Sequence, residues 1–220
     1  MYQTVNGLEL YYEITGEGPP ILLLHGNGES HRIFGVLTRQ LAASYTVYAL
    51  DSRDHGESGR TRELGYDLMA EDTALFIHAL KLDRPVLYGF SDGGIIGLTL
   101  ASKYPELLSK LIVSGANTKP EATKKGWLLL FRLIYLITRN RQFRLMLTGP
   151  HITREDLGRI KIPVLVLAGE KDMIREEDTR FIAQSIPGAA LKILKNENHM
   201  SYVINCPKLY PEIEEFLKNS

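Results

Sequence analysis

Two short runs at the start of the chain, Tyr2 to Val5 and Leu8 to Ile14, are rich in β-forming residues and are joined by Asn6-Gly7. That dipeptide tolerates the positive φ angles of a two-residue turn, so the pattern predicts an antiparallel hairpin. Ile21 to Leu24 follows as a continuous aliphatic run, as expected of a strand buried on both faces. Helical patterning over about Ser30 to Ala43 leads to a strand at Thr46 to Leu50. The alternation continues with a helix at Tyr66 to Leu80, a strand at Pro85 to Tyr88 and a helix at Asp92 to Lys103. Leu111 to Ser114 and Val164 to Ala168 read as strands, Glu176 to Gln184 as a helix and Ala190 to Leu194 as the last strand. Pro207 to Leu217 reads as a closing helix opened by proline.

This order predicts an α/β architecture: a mostly parallel sheet with an N-terminal antiparallel hairpin and helices on both faces. Residues 118–159 break the rhythm, because they separate two strands that one crossover helix would normally join. They are expected to form a short helical cap inserted into a single domain of residues 1–220, whose core is 1–117 and 160–220. The insertion holds nine Lys or Arg against three Asp or Glu, an excess of +6.

Composition narrows the available functions. The 220 residues are 44% hydrophobic and 24% charged with zero formal net charge, so no global field recruits nucleic acid. Cys206 is the single cysteine, which excludes an intrachain disulfide and a Cys-x-x-Cys redox pair and points to a reducing, cytoplasmic setting. Met1 to Leu10 lacks the basic start and apolar run of a signal peptide, so the mature chain is expected to begin there. The longest apolar stretch, Trp127 to Ile137, is interrupted by Arg132 and falls well short of the roughly 20 residues that cross a bilayer; no transmembrane segment is expected. No metal-binding or nucleotide-binding motif stands in a fitting context, so no metal or other cofactor is expected.

Gly89-Phe90-Ser91-Asp92-Gly93 has the pattern Gly-x-Ser-x-Gly between a predicted strand and a predicted helix. On so tight a turn a serine is held proud of the sheet, and the glycines remove side chains that would clash. Ser91 is therefore the candidate nucleophile. It needs a base to take its proton, and His199, in the loop after the last strand, is the candidate. Asp172, after the preceding strand, is the candidate acid that fixes the imidazole tautomer and stabilises the imidazolium. Glu170 lies closer to that strand and is the competitor, while Asn117, at the other acid position, carries an amide unsuited to the task.

A tetrahedral intermediate also needs two preorganised donors. The backbone amide of Asp92 supplies one and that of Asn27, in His25-Gly26-Asn27-Gly28, the other. His25 is expected to hydrogen-bond its own loop. Residues 51–59 read as a scaffold turn braced by pairing of Asp51 with Arg53, with His55 outside the chemistry. His78 is expected to pack half-buried on its helix, and His31 and His151 to lie at the surface.

These motifs together resemble the α/β-hydrolase family, in particular its small cofactor-free esterase and lipase-like branch. Residues 25–28 look like its oxyanion loop and residues 51–59 like its Asp-x-Arg-Gly-x-Gly-x-Ser turn, with Asp54 where glycine is usual. Residues 89–93 look like its nucleophile elbow, Gly169 to Asp172 like its acid loop, and His199 like its late histidine. The order Ser, Asp, His is the family's order.

The resemblance implies hydrolysis of a small-molecule ester through an acyl-enzyme. Thioester, amide or carbon–carbon cleavage, cofactor-free perhydrolysis, and a catalytically silent ligand-binding protein are the alternatives. The apolar run Trp127 to Ile137 is too uniform for a helix with one exposed face, so most of it is expected to be covered. It is expected to wall an apolar acyl pocket above Ser91, lined by Trp127, Phe131 and Tyr135. Lys124, Lys125, Arg132, Arg139, Arg141 and Arg144 would ring its mouth and favour an anionic substrate group or an anionic surface.

Overall fold

The computed structural model describes residues 1–219; Ser220, the last residue of the expected domain, lies outside them. Eight strands form one sheet: β1 (Tyr2–Val5), β2 (Leu8–Thr15), β3 (Pro20–Leu24), β4 (Thr46–Leu50), β5 (Val86–Phe90), β6 (Lys110–Ser114), β7 (Val164–Gly169) and β8 (Ala190–Leu194). Their order is β1-β2-β4-β3-β5-β6-β7-β8. The pairs β1·β2 and β2·β4 are antiparallel, and every pair from β4 to β8 is parallel. Asn6 and Gly7 turn the opening hairpin with φ of 48° and 69°.

The aliphatic runs alternate between two cores, one on each face of the sheet. Leu22, Leu24, Leu87, Leu111, Val113, Val164 and Val166 join α2 (Tyr66–Ala79), α3 (Asp92–Lys103) and α7 (Glu176–Ser185). Their neighbours Ile21, Leu23, Tyr88, Phe90, Ile112, Leu165 and Leu167 face the other way, toward α1 (Gly35–Leu41) and α8 (Leu209–Asn219). Burial on both faces is why these strands read as unbroken apolar runs.

The segment between β6 and β7 holds α4 (Lys125–Thr138), α5 (Arg141–Thr148) and α6 (Arg154–Gly158). Only part of it is peripheral. Leu157 is fully buried in the α2/α3 core, and α6 packs on α3 and α7. α4 has no buried residue, and α5 reaches that core only through Leu145.

Several element boundaries differ from the sequence pattern, most of them by a single residue. The helix expected over about Ser30 to Ala43 divides into a 3₁₀ turn, His31–Phe34, and α1. Asp51 explains the division, because its Oδ1 accepts from both the backbone N–H (2.7 Å) and Nδ1 (2.9 Å) of His31 and pins that turn to the end of β4. The closing helix starts at Leu209 rather than Pro207. β5 runs on to Phe90, so Ser91 follows the strand with no intervening loop.

Candidate active site

Parallel register brings the C-terminal ends of β3, β5, β6, β7 and β8 to one edge: Leu24 pairs with Gly89, Phe90 and Leu167 with Ser114, and Gly169 with Leu194. Every loop carrying a candidate residue leaves the sheet there. Ligands of open α/β sheets bind at this edge.

Ser91 sits between β5 and α3 with φ 52° and ψ −114°, a conformation costly for a residue with a Cβ. The turn is held by Ser91 N–H donating to Ser114 O (2.8 Å) and Gly93 N–H donating to His25 O (3.0 Å). Its tightness depends on the flanking glycines. A Cβ on Gly89 would stand 2.2 Å from Gly93 O, and one on Gly93 would stand 2.1 Å from Leu24 O.

His199 is buried, and its Nε2 lies 3.1 Å from Ser91 Oγ while its Nδ1 lies 2.7 Å from Asp172 Oδ1. Asp172 Oδ1 also accepts the backbone N–H of Ile174 at 2.9 Å, which fixes the carboxylate. The competitor Glu170 faces solvent and accepts from Asn196 N–H (2.8 Å), and Asn117 donates to Lys119 O (2.8 Å). Neither reaches His199.

Asn27 and Asp92 are joined by their side chains: Asn27 Nδ2 donates to Asp92 Oδ2 (2.8 Å), and Tyr66 Oη donates to Asp92 Oδ1 (2.9 Å). Burial raises the Asp92 carboxyl above its usual range, with the hydrogen bonds from Asn27 and Tyr66 opposing that shift. This bridge ties the loop after β3 to the turn carrying Ser91. Among the described residues no hydrogen bond engages the backbone N–H of Asn27 or Asp92.

The other histidines sort by their surroundings. His25 Nδ1 lies 2.8 Å from Gly26 O and its Nε2 accepts Ser52 N–H (3.0 Å), as expected of a loop brace. Burial lowers its pKa to about 4, aided by repulsion from His55, so it stays neutral. His55 is buried against Arg53 O (2.8 Å). His31 is buried rather than at the surface, because Asp51 draws it in, and His78 is exposed rather than half-buried. The expected Asp51–Arg53 pair does not form. Arg53 instead makes a two-pronged pair with Asp72 of α2, Nε to Oδ2 at 2.5 Å and Nη2 to Oδ1 at 2.6 Å, while Asp51 holds His31. Asp54 has φ 62°, the left-handed conformation that aspartate tolerates.

A cavity of about 580 Å³ opens over Ser91 and His199. Trp127 and Phe131 of α4, Phe143 and Met146 of α5, and Met173 and Met200 line it. Tyr135 is absent from this lining; its ring packs under the Arg139 guanidinium at 5.7 Å. Residues advance 1.5 Å each along a helix, so Tyr135 stands about 12 Å from Trp127, past the cavity's edge. The expected covering of α4 also fails, since none of its side chains is buried. Two of the six rim cations are engaged in the core: Lys124 Nζ donates to Asp172 O (2.5 Å), and Arg141 donates to Thr61 O and Asp54 Oδ1.

Two residues of the site carry no signal in a local motif. Glu29 lines the cavity, its Oε2 accepts Gly26 N–H (3.0 Å), and burial pushes its carboxyl up to about 7. Gly115, just after β6, lies against the His199 ring. Its φ of 62° is the only local hint of its importance, and that is invisible without coordinates.

The sheet order and this edge are those of the α/β hydrolases. A model of the family described as "alpha/beta hydrolase fold" matches residues 19–148, and the chain belongs to that family. The human "Serine hydrolase BPHL" is 30% identical over 247 residues, covering 97% of this chain and 84% of that protein. A "Putative esterase/lipase" of Haemophilus influenzae is 33% identical over 102 residues, 46% of this chain and 36% of its own length. The fold of the enol-lactonase from Burkholderia xenovorans LB400 superimposes over 100% of both chains with a TM-score of 0.84 at 20% identity. Among the described residues no helix is long and apolar enough to cross a membrane.

Proposed function

We propose that this α/β hydrolase cleaves carboxylic esters through an acyl-enzyme, with Ser91 as nucleophile, His199 as general base and Asp172 as the acid that orients it. The observation that carries the reading is the continuous chain from Ser91 Oγ through His199 (3.1 Å) to Asp172 (2.7 Å) at the base of a cavity. In this mechanism His199 Nε2 takes the Ser91 proton as Oγ attacks the carbonyl carbon. Asp172 keeps the proton of the imidazole on Nδ1 and offsets the charge of the imidazolium. The tetrahedral oxyanion is held by the free amides of Asn27 and Asp92, whose loops the Asn27–Asp92 bridge keeps together. His199 then returns its proton to the leaving alcohol, and water enters by the same route to release the acid.

Residues 1–220 are read as one domain, with α4 and α5 as the cap over the site. The apolar wall favours an apolar acyl group, and the names of the relatives, serine hydrolase and enol-lactonase, agree with an ester-type bond. The test is turnover of p-nitrophenyl butyrate and its loss on treatment with a fluorophosphonate. Labelling of Ser91 with loss of turnover supports the reading. If the protein neither turns the ester over nor takes the label, it is a silent binding member of the family.

A further inference from the structure

Half of the exposed large apolar side chains lie on one helix. Of the twelve among the described residues, α4 carries six: Trp127, Leu129, Leu130, Leu133, Leu136 and Ile137, the last 84% exposed. Spacings of three and four residues put the leucines and Ile137 on one outward stripe, while Leu128, Phe131, Ile134 and Tyr135, on the other side, are half-buried. A contiguous apolar stripe on a surface helix marks an interaction site more often than chance.

Along the chain, the charge flanking the stripe is of one sign. From Ala122 to Thr153 the chain has six Lys or Arg and no Asp or Glu. Lys124 and Arg141 are tied to the core, but Lys125, Arg132, Arg139 and Arg144 are exposed and make no salt bridge among the described residues. A second copy docking on this face would bring two such basic segments together with no acid to neutralise them. A layer that is apolar inside and negative at its surface matches both features at once.

We propose that the outward face of α4 docks the protein on an anionic lipid surface, with Leu129, Leu133, Leu136 and Ile137 entering the acyl layer and Lys125, Arg132 and Arg144 meeting the headgroups. At 14 residues α4 is too short to span a bilayer and lies in its plane. Trp127 and Phe131, on the same helix, line the cavity over Ser91. Docking therefore brings the helix that walls the cavity to a phase that holds sparingly soluble apolar esters. That consequence rests on the esterase reading; the docking itself does not.

The test uses the full-length Ser91→Ala protein, so that binding is read without turnover. Co-sedimentation is measured with vesicles of phosphatidylcholine alone and of phosphatidylcholine mixed with phosphatidylglycerol, at low and high salt. Binding to the mixed vesicles is expected, weakened by salt and by about 5-fold for each of Arg132→Gln and Arg144→Gln. Leu133→Asp is expected to remove it, with circular dichroism and melting temperature unchanged because Leu133 is exposed. Equal partitioning to neutral and mixed vesicles, or binding indifferent to Leu133→Asp, overturns the proposal. So does a dimer in sedimentation equilibrium that Leu133→Asp dissolves, since a second copy would then own the stripe. Absence of ester turnover in the unsubstituted protein, with vesicle binding intact, would count against the esterase reading alone.

Discussion

A Cβ placed on Gly115 would stand 2.7 Å from Cε1 and 2.9 Å from Nδ1 of His199. The imidazole thus rests directly on the backbone of the turn after β6, and the absence of a side chain there sets its distance from Ser91. Gly115→Ala is expected to displace the ring and lower kcat by about 100-fold, the scale of a misplacement near 1 Å. KM and the circular dichroism spectrum should change little. An unaltered kcat would show that the ring tolerates displacement and that Gly115 serves only the turn.

Ser91 and His199 are proposed to act as a unit, so their losses should not multiply. Ser91→Ala and His199→Ala are each expected to cut kcat by several orders of magnitude, and the double variant to be hardly worse than either. Independent, multiplying losses would contradict the assignment.

The Arg53–Asp72 pair is buried on both sides and also receives Asn6 Nδ2 on Asp72 Oδ1 (2.8 Å). Removing one partner leaves the other charge without compensation. Asp72→Ala is expected to destabilise by about 3–5 kcal/mol in urea unfolding, and Arg53→Met combined with Asp72→Leu to cost less than that. A loss below about 1 kcal/mol for Asp72→Ala would place the pair with ordinary surface bridges.

This pair also illustrates what the sequence could and could not reveal. The parallel strands were legible because β3, β5, β6 and β7 are covered on both faces and so appear as continuous apolar runs. Ser91 was legible as a candidate because it follows β5 directly, and Asp172 and His199 because they lie in the loops after β7 and β8. Ion-pair choice was not: Asp51 and Arg53 are near in sequence, yet Arg53 finds Asp72 on α2 and Asp51 finds His31, contacts that only the packed loops create. The apolar run of α4 predicts a covered helix, the usual fate of such a pattern, but the short insertion has no second layer to cover it. Glu29 escaped because its proximity to Ser91 arises from the turn at Gly26, where a Cβ would lie 2.7 Å from Glu29 Oε2 and 3.1 Å from Ser91 Cβ.

Glu29 should make stability depend on pH in a defined direction. Burial raises its carboxyl from 4.5 to about 7, against the Gly26 N–H bond and the attraction of His199 and with the help of nearby Asp92. Below about pH 4.5 both folded and unfolded chains hold the proton and Glu29 has no effect. Between about 4.5 and about 7 the unfolded chain has released a proton that the folded one retains, so this group lowers stability as pH rises, and the penalty is full above about 7. Glu29→Gln can still accept the Gly26 bond and removes the charge. Relative to the parent, its melting temperature is expected to be higher at pH 8 and level at pH 4; an equal gap at both would rule out ionisation as the cause.

The cavity wall predicts how chain length is read. Phe131 stands between Trp127, with ring centroids 6.1 Å apart, and Phe143, at 5.8 Å, and so bounds the cavity on the α4 side. Each methylene that finds room there contributes about 0.8 kcal/mol, roughly a 4-fold gain in kcat/KM, and the gain stops when the chain meets the ring. Phe131→Ala is expected to extend the rise to longer acyl esters while leaving acetate and propionate esters nearly unchanged. Tyr135→Ala, one turn further along and outside the lining, should leave the profile as it was. A p-nitrophenyl ester series run on both variants decides it: a matching shift in the two would mean that α4 acts through its general packing, and no shift in Phe131→Ala would mean that the acyl chain lies elsewhere.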